Sequence, residues 1–247
     1  MPIFAAVWPT ELFYVRERVH LLLTCEHAVN AVPRSFSGLF ARDARVLRGH
    51  RAFDIGALAV ARHLARTLRA PLFAGAVSRL LVDLNRSLHH PHVHSEFVAG
   101  LEAPQLLAIV ERYYLPHRQE VERHVATRVR QGVCVVHVAV HSFAPAIAGE
   151  ARNADLGLLY DPARRRERDL CCSWKAVLNE EADLRVRFNY PYRGKADGLT
   201  TALRRRFGAR SYAGIELEMN QRRVQTPADR AALAGAIARS LRRLLRS

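Results

Sequence analysis

Residues 21–30 read Leu21-Leu22-Leu23-Thr24-Cys25-Glu26-His27-Ala28-Val29-Asn30. The leucine run reads as a buried strand, and it delivers an acid and a histidine together onto the loop that follows. Strand ends are where α/β proteins build sites, because the sheet holds loop side chains rigidly. Three junctions further along have the same character. Asp54 opens a helical pattern, Asp83-Leu84-Asn85-Arg86 closes a second apolar run, and His141-Ser142-Phe143 closes a third. Groups able to bind a metal and an anion therefore converge on strand ends, the pattern of an enzyme.

The remaining patterning supplies the sheet. Strands are predicted over 19–25, 71–77, 133–140, 156–160, 184–188 and 212–218, with 80–84 as a short strand or a loop. Helices are predicted over 54–68, 104–130, 162–181, 200–207 and 227–245. Their alternation gives an α/β fold with helices on both faces of the sheet. Ala57, Val60, Ala61 and Leu64 make an apolar stripe opposite Arg62, Arg66 and Arg69. Thr226 is an N-cap for the last helix, with Pro227 in its first turn and Asp229 near its positive end. Ala231, Leu233, Ile237, Leu241 and Leu245 supply its buried face, so this helix is expected on the sheet and not on a membrane surface. With no repeat and no Gly/Ser linker, residues 1–247 are expected to form a single domain.

Composition narrows the class. The 247 residues are 49% hydrophobic, enough for one large core. No apolar run approaches the roughly eighteen residues of a membrane span. The first residues lack a basic segment, and Arg16 and Arg18 come too late for a secretory signal, so the expected location is cytoplasmic. The net charge of +15 invites a nucleic-acid reading. Yet the basic charge is nearly all arginine, much of it on predicted helices, as at Arg239, Arg242, Arg243 and Arg246. No nucleic-acid-binding motif accompanies it, so no specific nucleic-acid partner is expected. Cys25, Cys134, Cys171 and Cys172 form no Cys-x-x-Cys pair, which leaves a structural zinc site unsupported. Cys171 and Cys172 point to different helix faces. Cys25 beside His27 is either a nucleophile or, the favoured reading, a small buried residue at a strand end.

Catalytic zinc takes three protein ligands from His and Asp/Glu. His27 and His141 both follow strands, and the carboxylate candidates are Glu26 and Asp54. Adjacent residues of an extended chain point apart, which weighs against Glu26 sharing an ion with His27. Asn85-Arg86 fits an anion clamp, with Arg79 a second cation, unless Asp83 pairs with an arginine in a structural salt bridge. Glu216 and Glu218 share one face of a strand. One could be a general base beside a metal, or both could lie on an exposed edge. His89-His90-Pro91-His92-Val93-His94 is an irregular loop expected to take up metal only adventitiously.

Read together, these segments resemble the N-formylglutamate amidohydrolase family. The matching pieces are Cys25-Glu26-His27-Ala28 with Asn30 and Pro33, His50 with Asp54-Ile55-Gly56-Ala57, Ser78 to Arg86, His141-Ser142-Phe143, Asp155 to Asp161, Asn189 to Gly194, and Asp197-Gly198. They keep the family's order and span most of the chain. That family looks like a distant relative of the zinc carboxypeptidases. The resemblance implies a mixed eight-stranded sheet flanked by helices on both faces, a zinc-carboxypeptidase-like (phosphorylase/hydrolase-like) single domain.

It also implies one zinc ion (Zn2+) on His27, Asp54 and His141. Position 30 is Asn30 and not the acid of the carboxypeptidase pattern, and Asp54 leads into the first helix as the carboxypeptidase glutamate does. Asn85 and Arg86 resemble the carboxylate-binding pair, Arg79 would stabilise the oxyanion, and Glu218 would be the general base, with Glu216 a structural neighbour paired with an arginine. The implied substrate is a small N-acyl amino acid carrying a carboxylate, N-formylglutamate first. The late segment departs from the family's Glu-Ile-Arg-x-Asp-Leu-Ile: the arginine becomes Asn220 and the aspartate Arg222. The rival functions are a cysteine hydrolase using Cys25 and His27, and a non-catalytic basic module.

Overall fold

The structure is a computed structural model that describes residues 18–245. In chain order the elements are β1 (Val19–Cys25), α1 (Ala57–Leu68), β2 (Leu72–Ala74), α2 (Ala103–Ile109), α3 (Leu115–Arg130), β3 (Cys134–Phe143), β4 (Ala146–Ile147), β5 (Glu150–Ala151), β6 (Leu156–Leu159), α4 (Arg165–Glu181), β7 (Val186–Phe188), α5 (Leu199–Arg206), β8 (Tyr212–Asn220) and α6 (Pro227–Leu244). The main sheet has six strands in the order β2-β1-β3-β8-β6-β7. All its pairings are parallel except β6 with β8, so the sheet is mixed. The eight-stranded sheet implied by the resemblance is corrected to six among the described residues, with β4 and β5 forming a separate hairpin.

Alternation along the central strands divides the core. Leu23, Val138, Ile215 and Leu217 face α1, α4 and α6, while Leu22, Val135 and Tyr212 meet Val121 and Val125 of α3 and Leu199 and Leu203 of α5. The stripe Ala57, Val60, Ala61 and Leu64 is fully buried. The capping box of α6 forms as read: Thr226 Oγ1 accepts from Asp229 N at 3.0 Å, and Asp229 Oδ2 accepts from Thr226 N at 3.0 Å. Arg246 and residues 1–17 lie outside the described residues, as does the expectation about a secretory signal.

Several boundaries move. The predicted helix 104–130 is interrupted by a π segment, Val110–Tyr114, between α2 and α3. Residues 34–48 form 3-10 helix that sequence periodicity did not expose. Residues 80–84 form a loop over a small apolar cluster containing Leu81, Val82 and Leu84. Asp54 stands outside α1, whose first turn is capped by Gly56 at φ 82°. A Cβ there would come within 2.7 Å of the Val224 side chain, so both conformation and contact require glycine. The exposed-edge reading of Glu216 and Glu218 is also corrected. Their strand, β8, is central, between β3 and β6, and Glu218 is 5% exposed.

One buried ion pair fastens α4 and α5 to the sheet. Glu167 accepts from Arg204 Nε at 3.0 Å, from Gly214 N at 3.0 Å and from Asp161 N at 3.0 Å. Arg204 also donates to the Gly194 and Gly214 carbonyls, at 2.6 Å each. Removing one partner leaves an uncompensated buried charge. Arg204→Ala is therefore expected to cost about 3–5 kcal/mol of folding stability. Chemical denaturation checks this; a loss below about 1 kcal/mol, the worth of an exposed pair, would contradict it.

Candidate active site

The ends of β1 and β3 and the turn before α1 bring His27, His141 and Asp54 together. All three are buried. One ligand atom from each lies within 4.8 Å of the others, the only such His/Cys/Asp/Glu group of three or more among the described residues. Asp54 Oδ2 lies 2.9 Å from His141 Nδ1 and 3.4 Å from His27 Nδ1. It also accepts from Ser142 N at 3.3 Å, while Asp54 Oδ1 accepts from Arg79 Nη1 at 3.1 Å.

Carboxylates stand behind both rings. His27 Nε2 is 2.7 Å from Asp83 Oδ1, and His141 Nε2 is 3.0 Å from Glu26 Oε2. The second contact has ion-pair distance without hydrogen-bond alignment. Arg79 Nη1 lies 2.9 Å from His27 Nδ1, a contact that requires a lone pair on Nδ1 and places the proton on Nε2, toward Asp83. Such a carboxylate–imidazole arrangement orients a ring and fixes its tautomer, with the opposite nitrogen turned to a metal position. Asp83 thus pairs with His27, and the alternative of a structural salt bridge from Asp83 to an arginine gives way to this contact. Glu26 is placed behind His141, outside the three-residue cluster.

Buried charge is unevenly balanced here. Asp54 and Asp83 face the Arg79 guanidinium, whereas Glu26 faces the imidazoles of His141 and His117, at 3.0 and 4.0 Å. Burial opposes the charged form of His141, yet Asp54 and Glu26 outweigh it and hold the imidazole well above its usual pKa. Burial likewise opposes ionisation of Asp54, but His27 and Arg79 hold its carboxyl well below the ordinary range. Two imidazoles and a carboxylate are a donor set for a divalent transition metal, which would take the place of the proton on His141 Nδ1.

Glu218 faces this group from β8, in register with His141. Its Oε2 is buried with no hydrogen-bond partner among the described residues. Burial first, then the Asp54 and Glu216 charges, push its carboxyl up to about 8 against the pull of His141 and His27. Glu216 accepts from Thr200 Oγ1 at 2.6 Å, so its partner is a hydroxyl where an arginine was expected.

The anion-clamp residues lie lower on the same face. Asn85 Oδ1 accepts from Leu199 N at 2.8 Å, which turns the Asn85 amide nitrogen away from that contact. Arg86 Nη1 donates to the Asp197 carbonyl at 3.3 Å. Side chains from the π segment and from α3 hold this loop by its backbone: Tyr114 Oη donates to Arg86 O at 2.8 Å, and Arg118 Nη1 to Leu84 O at 3.3 Å. Neither residue was singled out in the sequence, and nothing in their spacing marks them. Of the histidine loop, His90 and His92 lie with ring centroids 5.6 Å apart and His94 turns to the Leu81 carbonyl, without joining the buried group.

Cys25 is fully buried, and burial followed by the Asp54 and Glu26 charges raises its thiol well above the usual range. A nucleophile needs an accessible thiolate, so the cysteine-hydrolase reading fails and Cys25 is a packing residue. Among the described residues no helix is long and apolar enough to cross a membrane.

The crystal structure of gene product Atu2144 from Agrobacterium tumefaciens is similar over 92% of this chain and 90% of that one, with 31% identity and a TM-score of 0.79. That of N-formylglutamate amidohydrolase from Ralstonia eutropha JMP134 shares the fold, with 17% identity, a TM-score of 0.69 and 94% of each chain covered. No curated protein matches the sequence. The N-formylglutamate amidohydrolase family profile matches residues 19–224, across β1, the buried cluster, β8 and the turn that follows it. The chain belongs to the N-formylglutamate amidohydrolase family.

Proposed function

We propose that this protein is a zinc-dependent hydrolase of the amide bond of an N-acyl amino acid, with N-formylglutamate the substrate to which the family points. The observation that carries the reading is the buried His27, Asp54, His141 group with the unpartnered carboxyl of Glu218 facing it. A zinc ion held by His27, Asp54 and His141 supplies Lewis acidity, lowering the pKa of water at the site and polarising an amide carbonyl.

The chain's own groups do the rest. Glu218 takes a proton from water and returns it to the departing amine, a two-way task open to a buried carboxyl with an unpartnered oxygen facing the metal-binding group. Arg79 is fixed through Nη1 to Asp54 and through Nε to the Arg51 carbonyl at 3.2 Å, while its contact with His27 Nδ1 would give way to the metal. Its Nη2 is left to donate to the carbonyl oxygen as negative charge develops. Asn85 and Arg86 hold the substrate's carboxylate and so position the amide. Asp83 and Glu26 orient the two histidines. The substrate is a small molecule, with no specific nucleic acid and no membrane involved. Residues 1–247 act as one domain, and four cysteines with no disulfide among the described residues accord with a cytoplasmic setting.

Two substitutions separate these roles. Glu218→Gln should leave fold and zinc content intact and lower turnover of N-formyl-L-glutamate by roughly two to four powers of ten. Glu216→Gln should cost less, and the reverse order would exchange their roles. Arg86→Ala should weaken kcat/KM by about 1.5–3 kcal/mol with zinc still bound. Steady-state kinetics with metal analysis reads both, and unchanged kinetics would remove Arg86 from the site.

A further inference from the structure

The arginines around the site differ in how they are neutralised. Arg51 pairs with Glu96, Arg79 with Asp54, and Arg223 lies 3.6 Å from Asp155. Arg152 has no carboxylate within ion-pair distance among the described residues. Its guanidinium lies over the rings of Phe143 and Tyr192, 5.7 and 5.1 Å from their centroids, and Nη1 donates to Tyr192 Oη at 3.1 Å. These contacts hold the guanidinium in place without cancelling its charge.

The backbone beneath it is fixed as well. Arg152 N donates to Pro145 O at 2.8 Å, closing the base of the β4–β5 hairpin. Arg152 O accepts from Asn220 Nδ2 at 3.3 Å and from Arg222 Nη2 at 3.2 Å. Asn220 and Arg222 are the two departures from the family's late segment noted in the sequence. In this chain, both departures hold Arg152.

Strand register places Arg152 relative to the reaction. On the face that carries the site, β3 and β8 present three successive rows: Ala139 with Glu216, His141 with Glu218, and Phe143 with Asn220. Asn85 belongs to the first row, since a Cβ added at Gly198 would lie 3.1 Å from Asn85 Oδ1 and 3.3 Å from Glu216 Oε1. Arg152 belongs to the third, against Phe143 and Asn220. The metal-binding group and the base occupy the row between, with about 7 Å from one row to the next. The Arg152 side chain is half-buried where it lies against Phe143 and Tyr192 at this third row.

We propose that Arg152 binds an anionic group on the acyl side of the substrate, so that the preferred substrates are N-acyl amino acids whose acyl chain ends in a carboxylate. This rests on the reading in which Asn85 and Arg86 hold the amino-acid carboxylate and the amide is cleaved in the middle row. A formyl group ends at the reacting carbon. A succinyl group continues roughly 5 Å beyond it, at about 1.5 Å per bond, toward the third row. Water adds to the acyl carbon, the carbon–nitrogen bond breaks, and the amine leaves with the proton, giving a dicarboxylic acid and the free amino acid.

The test compares N-succinyl-L-glutamate with N-butanoyl-L-glutamate, of equal acyl length without the charge, on zinc-loaded wild type and Arg152→Met. Wild type should favour the succinyl compound by roughly tenfold to a hundredfold in kcat/KM, chiefly through KM. In Arg152→Met the ratio should fall close to one, and Arg152→Lys should recover part of it. Thermal melts establish that both variants are folded. A ratio near one in wild type, or a preference that survives in Arg152→Met, overturns the inference while leaving amide hydrolysis intact. If the metal-loaded protein hydrolyses none of these compounds, N-formyl-L-glutamate included, the proposed function falls and this inference with it.

Discussion

The buried carboxylate of Asp54 is the constraint on which the site depends. It is 3% exposed, and an isolated carboxylate in such a place would cost several kcal/mol. It persists because Arg79, His141, the Ser142 amide and His27 surround it. Those partners come from the turn after β1, the loop 78–86 and the end of β3. Satisfying one acid therefore draws three distant segments into one cluster. The same requirement explains why the chain turns sharply at Gly56, since α1 must begin with Asp54 directed away from its axis.

A second layer of acids makes the cluster directional. Asp83 and Glu26 occupy the outer nitrogens of His27 and His141, so the inner nitrogens face each other across Asp54. Three buried carboxylates are thus balanced by one arginine and by imidazoles, whose charge depends on protonation. Asp54 and Glu26 favour a proton on His141 and hold its imidazole well above the usual pKa, against the opposing effect of burial. The same three side chains, His27, Asp54 and His141, could hold a divalent cation in place of that proton. The sheet then adds a buried carboxyl from the other side, because parallel register sets Glu218 beside His141.

Most of this was legible in the sequence wherever a residue type is rare in its context. Histidines and acids after apolar runs stood out, and His27, Asp54 and His141 meet as expected. By spacing Glu218 was legible only as one of a pair, because a period of two cannot separate Glu216 from Glu218, and the family resemblance alone chose it. Their burial and partners distinguish them: Glu216 is held by Thr200, while Glu218 Oε2 has no partner among the described residues. The residues missed were those whose role depends on tertiary placement. Asp83 read as a salt-bridge acid, since nothing local shows that the loop 78–86 passes behind His27. Tyr114 and Arg118 read as ordinary helical positions. Arg152 was one arginine among many until the hairpin and the aromatic rings gave it a place. Short strands such as β7 lost their ends to turns, and the 3-10 stretch 34–48 lacks the 3.6-residue period that identifies a helix.

Zinc K-edge X-ray absorption of protein loaded with one equivalent of zinc tests the central claim most directly. The account predicts a first shell of nitrogen and oxygen alone at about 2.0–2.2 Å, with the multiple scattering of two imidazoles, and its loss in Asp54→Ala. A sulfur scatterer at about 2.3 Å, or a spectrum unchanged by Asp54→Ala, would contradict it.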